Sequence, residues 1–354
     1  MIAPLAKLLD WSALQLSSLR PPVLSGQDPG LEEALKFLRG PDFMPTESQP
    51  AKVEFDSPRH FRFPSPQPCA LPENNIVHGR LYRCSGRWQE RPTVVLLHGW
   101  NSSLSHRFRF PWIAHWATRA GFNAATLELP YHFQRRPRHP GGLRTPYFLR
   151  LAQMRAQAAA EIRALTGWLL QQGCPAVALW GSSYGALLAG LTACRDARSA
   201  AVVMAVPGIS MKSVSSDRIL RRSVRQVWQA QRAAREVLDS TALNLISLRP
   251  LIPRQNILLI EAIHDALAEP TEELWRQWGE PEIWRVPHGH FSFSLIGAPC
   301  LMTRRVLRWL GPRLDPSATR QEQASAAQPD GAANRSQPVC PEENRASAPA
   351  GSGR

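Results

Sequence analysis

The chain has 354 residues, 42 Lys+Arg against 28 Asp+Glu for a formal net charge of +14, and 44% hydrophobic residues. That length suits one large α/β domain with extensions, since such cores often reach about 250 residues, and no apolar run approaches the roughly 18 residues that span a membrane. The charge raises the question of a polyanionic partner, but Lys occurs only at 7, 36, 52 and 212 and the arginines are spread over the whole chain. This is the distribution of a coding bias rather than of a binding face, and no nucleic-acid partner is expected.

Residues 1–49 are expected to be a helical extension, the first 45 reading as one or two amphipathic helices broken at Pro21-Pro22. The first ten residues hold Pro4, Lys7 and Asp10, with an acidic residue where a signal peptide would carry its apolar centre. Six cysteines at 69, 84, 174, 194, 300 and 340 form neither a CxxC pair nor a zinc-site spacing. The expectation is a cytoplasmic protein with reduced, mostly buried thiols.

Residues 50–312 alternate short β-branched runs with longer helical patterns, the signature of a mainly parallel sheet covered by helices. Strands are expected at 93–98, 122–128, 176–180, 200–206, 256–260 and 282–286, with the runs at 52–55 and 81–83 adding an antiparallel edge. Helices are expected at about 107–120, 147–172, 184–195, 271–278 and 299–310. The second of these ends before Gly173, a stop signal. Between the fourth and fifth strands lies an insertion, 208–254, in which 218–228 reads as an amphipathic helix with a basic face, the form of a lid or of a plain surface helix. Beyond residue 312 the chain is rich in Ala, Ser, Gln, Pro and Gly. Such a segment cannot bury a core, so 313–354 reads as a disordered tail.

One motif carries chemistry. The strand ending at Trp180 runs straight into Gly181-Ser182-Ser183-Tyr184-Gly185 and then into the helix-forming Ala186-Leu187-Leu188. Strand, turn and helix are the context that gives a G-x-S-x-G match its meaning, an exposed serine held in a strained turn. Glycines at 181 and 185 fit because neighbouring backbone comes close there, and the spacing selects Ser183 over Ser182. About 85 residues upstream, the apolar strand 93–97 leads into His98-Gly99-Trp100.

With these motifs in this order, residues 50–312 resemble the α/β-hydrolase superfamily, of the serine esterase and lipase type. The resemblance implies that the backbone N–H groups of Trp100 and Tyr184 form an oxyanion hole, and that His98 braces its loop rather than moving a proton. It also implies an acid after the strand that follows Pro250, where Asp265 is the choice and Glu261 and Glu269 are the alternatives. The base belongs to the loop after the last strand, where Gly289-His290-Phe291 selects His290 and leaves His288 as a pocket neighbour. Ser183, Asp265 and His290 then stand in the chain order of that fold.

In the loop after the second strand, Tyr131, Arg135 and Arg136 are candidates to touch substrate, the two arginines either pairing with an acidic substrate group or facing solvent. No HExxH, GxxxxGK or strand-borne GxGxxG occurs, so no metal and no organic cofactor is expected. The implied activity is hydrolysis of a carboxylic ester or thioester on a small acyl substrate. A peptidase, an acyltransferase or a silent binding protein on the same fold are the alternatives.

Overall fold

The structure, a computed structural model, describes residues 30–100, 105–138, 145–209, 232–265, 268, 271–293 and 302–315, together with Pro4, Leu8 and Asp10. Its strands are β1 (Glu54–Phe55), β2 (His60–Pro64), β3 (Ile76–Tyr82), β4 (Thr93–Leu97), β5 (Asn123–Leu127), β6 (Val177–Ser182), β7 (Ser199–Ala205), β8 (Ile257–Ala262) and β9 (Glu282–Val286). Its helices are α1 (Leu31–Arg39), α2 (Phe110–Arg119), α3 (Tyr147–Gln171), α4 (Tyr184–Ala193), α5 (Arg232–Asp239), α6 (Glu272–Gln277), the single turn α7 (His290–Ser292) and α8 (Thr303–Arg313).

The strands form one nine-stranded sheet in the order β1-β2-β3-β5-β4-β6-β7-β8-β9. From β5 to β9 the pairing is parallel, while β1 to β3 form an antiparallel edge joined to β5. All six predicted strands are present, and the predicted edge is there with one strand more. That strand, β2, hides its pattern in His60-Phe61-Arg62-Phe63-Pro64, where two buried phenylalanines alternate with exposed polar residues and prolines flank the run.

The central strands β4, β5 and β6 are buried end to end because both faces are covered. Val95 and Leu97 point to the face packed by α3 and α4, and Val94 and Leu96 to the face packed by α2 and α8. Strand alternation thus feeds two separate cores from one continuous run. The extension is tied to the same body, since Ala34 and Leu38 of α1 are buried against Phe148, Ala152 and Ala156 of α3.

The helix expected at 299–310 is present as α8, which runs from Thr303 through Pro312 to Arg313, while residues 299–301 lie outside the described residues. Pro312 has no N–H to donate, so the last turn of α8 holds one i→i−4 bond fewer. Helical residue 232 onward aside, the predicted lid helix at 218–228 lies outside the described residues, as do the tail beyond Asp315 and the Pro21-Pro22 break. Among the described residues no helix is long and apolar enough to cross a membrane. Cys69, Cys84, Cys174 and Cys194 are free thiols, the last two buried.

The order β5-β4-β6 sets the position of the site. The chain leaves β4 toward β5, then crosses back to β6 on the other side of β4, so the loops after β4 and β6 diverge at the carboxyl edge. This is the crevice in which open α/β sheets hold ligands. Leu97 pairs with Gly181 across it, which brings His98-Gly99-Trp100 beside Ser182-Ser183.

Candidate active site

Ser183 stands between β6 and α4 with φ 55 and ψ −117, a conformation that L-residues rarely adopt. Its amide donates to the Ala205 carbonyl of β7 (2.8 Å), and its own carbonyl accepts from Ala186 and Leu187. The turn is held from both sides. A Cβ on Gly181 would lie 2.1 Å from the Gly185 oxygen, and one on Gly185 would lie 2.2 Å from the Leu97 oxygen. Both obstacles are backbone, so neither can swing aside. Gly185→Ala is expected to lower stability by about 3 kcal/mol, read as a fall in the urea midpoint, whereas Gly311→Ala, with nothing near its Cβ, leaves the midpoint within the scatter of wild type.

The side chains singled out from sequence meet. His290 Nε2 lies 2.9 Å from Ser183 Oγ, and His290 Nδ1 lies 2.7 Å from Asp265 Oδ2. Asp265 is placed by the turn after β8, where its amide donates to Ala262 and its Oδ1 accepts the Ala268 amide (2.9 Å). The turn is stitched to the His290 loop, because the Ile263 amide donates to Val286 and the His264 amide to His288. Burial works against a charged His290, but the charge and hydrogen bond of Asp265 and the charge of Asp10 outweigh it and hold the imidazole above its ordinary value.

The alternatives for the acid are placed elsewhere. Glu261 is the fifth residue of β8; its Oε1 accepts the Thr271 amide (2.9 Å) and its Oε2 the Arg285 Nε (2.9 Å). Glu269 lies outside the described residues. His288 is half-buried, with its pKa lowered by desolvation and its ring 6.3 Å from Phe293, and the carboxylate of Asp265 is bound by His290 rather than by it.

Trp100 and Tyr184 face each other across the crevice with ring centroids 5.4 Å apart. Tyr184 opens α4, so its N–H precedes the first intrahelical acceptor. His98 is fully buried; its Nε2 accepts the Leu129 amide (3.0 Å), which leaves Nδ1 as the donor to the Gly99 carbonyl (2.8 Å). It therefore ties the loop after β4 to the loop after β5, and burial drives its pKa well down. His132, part of the quoted loop but given no role from sequence, lies 5.2 Å from the Trp100 ring and 6.3 Å from the Tyr184 ring. Burial also pushes it down, to about 4, so a neutral imidazole backs both aromatic residues.

The loop after β5 corrects the sequence reading. Arg135 is neither a solvent-facing side chain nor a substrate contact but fully buried. Its guanidinium clasps Glu161 of α3 with two bonds of 2.6 and 2.7 Å and donates to the Glu128 and Asn74 carbonyls. The reason is topological: the loop folds back under the sheet edge, where α3 supplies a carboxylate. Tyr131 (φ 63) hangs its amide on Asn74 Oδ1 (2.7 Å), and burial holds its hydroxyl pKa above the ordinary value. Arg136 is exposed.

A residue far from the motif completes the picture. Asp10 is buried, and its two carboxylate oxygens accept the backbone N–H groups of His290 (2.8 Å) and Phe291 (2.9 Å). Nothing in the local pattern around Asp10 announces this, because the contact spans 280 residues of chain.

Sheet order, elbow and crevice together define an α/β-hydrolase. The family described as alpha/beta hydrolase domain containing 18 matches residues 46–233, and the chain belongs to it. Among curated protein sequences there is no match. Among solved structures the chain is similar to the esterase Pf2001 of Pyrococcus furiosus, at 14% identity over 76% of this chain and 98% of that one, with a TM-score of 0.50. It is also similar to the α/β-hydrolase GrgF of Penicillium sp. sh18 (15% identity, 73% and 99% covered, TM-score 0.46). A third similarity is to an acylaminoacyl peptidase of Pyrococcus horikoshii (13% identity, 74% and 42% covered, TM-score 0.49). At 14% identity the likeness to Pf2001 speaks for the fold.

Proposed function

We propose that the protein hydrolyses a carboxylic ester or thioester of a small acyl substrate through an acyl-enzyme on Ser183. The observation that carries this reading is the continuous chain from Ser183 Oγ through His290 to Asp265, at 2.9 and 2.7 Å. Ser183 Oγ attacks the acyl carbonyl while His290 Nε2 takes its proton, and the carbonyl oxygen gathers charge. The N–H groups of Trp100 and Tyr184 are assigned to that oxygen, which suits donors fixed by a loop and a helix start before the reaction begins. His290 then returns the proton to the leaving alcohol or thiol. Water, activated by the same imidazole, releases the acid. Asp265 holds Nδ1–H and stabilises the imidazolium in both halves.

The test is labelling of the intact protein by a fluorophosphonate, with the modified peptide identified by mass, alongside hydrolysis of p-nitrophenyl esters of increasing chain length. Labelling is expected at Ser183, and a native protein that no fluorophosphonate modifies overturns the proposal. His290→Ala is expected to lower kcat roughly ten-thousandfold, while His288→Ala stays within about threefold of wild type, since it offers no bond to Ser183 or Asp265. Equal losses in the two variants would move the base to His288.

The pH dependence follows from the same geometry. The base works only when neutral, so activity falls as pH drops through its pKa. Because Asp265 and Asp10 hold that pKa up, the acid limb of kcat/KM is expected above about pH 6.5, the ordinary imidazole value. A limb well below that value contradicts the assignment of His290.

A further inference from the structure

We propose that Asp10 is a positioning residue for the general base: its carboxylate fixes the backbone of the His290 turn and places a second negative charge behind the imidazole. The proposal rests on the reading of His290 as the base of Ser183. It draws on geometry that no part of the serine, acid and base pattern contains.

The turn that carries His290 is short. α7 spans only His290–Ser292, preceded by Gly289 and tied by the Gly289 amide to Ser292 Oγ (2.8 Å). One turn of helix cannot hold a side chain to the tolerance that proton transfer requires unless something outside it satisfies its first N–H groups. Asp10 does so with both oxygens, one on His290 and one on Phe291. The fit is close: a Cβ on Gly289 would meet the Asp10 carboxylate at 2.6 to 2.8 Å, nearer than any other group among the described residues. Gly289 has φ −93, which any residue adopts, so what calls for glycine at this position is the room that the Asp10 carboxylate takes.

The charge matters as well as the shape. Two carboxylates serve one imidazole: Asp265 bonds Nδ1 from the β8 turn, and Asp10 sits under the backbone from the amino-terminal segment. Among the described residues, the polar groups near this turn include Ser183 on the elbow, His288 on the same loop, His264 joined to it by a backbone bond, and the Arg109 guanidinium 6.0 Å from the Phe293 ring. Of these, His288 and Arg109 can only disfavour an imidazolium. Asp10 therefore adds to Asp265 against them when positive charge develops on His290 during acylation.

The experiment measures fluorophosphonate acylation rates from pH 5 to 9 for the full chain and for Asp10→Asn, Gly289→Ala, His290→Ala and Ser183→Ala, with the His290 ring titration followed by NMR. Asparagine keeps one acceptor oxygen but loses the second acceptor and the charge. Its plateau rate is expected to fall on the order of tenfold, and its acid limb and ring titration to move to lower pH. Gly289→Ala keeps the charge but displaces the carboxylate, so its plateau falls with a smaller movement of the limb, and it serves where Asp10→Asn does not fold. A wild type labelled at Ser183, with Asp10→Asn matching it in plateau and limb, overturns the role of Asp10 alone. A slower Asp10→Asn with unmoved limb and titration reduces Asp10 to a structural cap and overturns the proposal too. Labelling that survives Ser183→Ala, or a wild type that is never labelled, overturns the acyl-enzyme reading and the positioning role with it.

Discussion

Ser183→Ala is expected to lower ester hydrolysis by about a millionfold, leaving only what oxyanion donors and binding supply, and to abolish fluorophosphonate labelling, with little change in stability. In the proposed mechanism the serine, the base and the acid act as one unit, so that without the nucleophile His290 has no proton to take and Asp265 no imidazolium to stabilise. Stability barely changes because alanine at 183 carries the same backbone strain as serine at φ 55, and the amide bond to Ala205 and the carbonyl bonds to Ala186 and Leu187 are untouched. The loss is confined to one hydroxyl and its hydrogen bond to His290. Matched thermal unfolding curves and a silent variant across the ester panel are the expected pair of results. A variant that retains more than about one part in a thousand of the activity, beyond what oxyanion donors and binding supply alone, would place the nucleophile elsewhere.

The second large effect concerns stability. Glu161→Gln is expected to destabilise the fold by about 3 to 5 kcal/mol, read from urea unfolding by a lowered midpoint. The Arg135 guanidinium and the Glu161 carboxylate are 0% and 2% exposed, so neither charge can turn to water when its partner is lost. Glu161 Oε1 also accepts the Ser65 hydroxyl (2.7 Å), which in turn receives Gln157 Nε2. Arg135 anchors two carbonyls, and its Nε is already without an acceptor. Removing the carboxylate therefore strands a buried cation. Replacing both members by apolar residues, Arg135→Met with Glu161→Leu, is expected to recover part of the loss, because the two desolvation costs disappear together. Recovery stays partial, since the Glu128 and Asn74 carbonyls lose their donor. A double variant no more stable than Glu161→Gln would show that these carbonyl bonds, and not the ion pair, hold the loop.

Arg135 also marks where reading the sequence stops. In Gln134-Arg135-Arg136-Pro137 the two arginines are equivalent by composition and neighbourhood, yet one is buried and the other exposed. What separates them is Glu161, 26 positions away on α3. β2 was hidden for a related reason. Its period-2 alternation uses Arg and His on the outer face and lies between prolines, so propensity argues against a strand that pairing with β3 from His60↔Arg80 to Pro64↔Ile76 makes stable. The parallel strands were legible because burial on both faces demands an unbroken apolar run, a signal that survives without knowledge of the neighbours.

By itself the sequence determined the strained turn at Ser183 and the layered α/β plan. Gly181, Ser183 and Gly185 obey a local rule, since the atoms that forbid a side chain at 181 or 185 belong to the turn and to the strand beside it. The amphipathic and apolar periods likewise reflect which faces are covered. Only the tertiary structure decided which carboxylate meets His290. Asp265, Glu261 and Asp10 are all acids in apolar surroundings, and the fold gives them three different partners: the imidazole, the Arg285 side chain and the backbone of the His290 turn. Those choices depend on distances between segments up to 280 residues apart in the chain, which sheet order and loop packing set and no local pattern encodes.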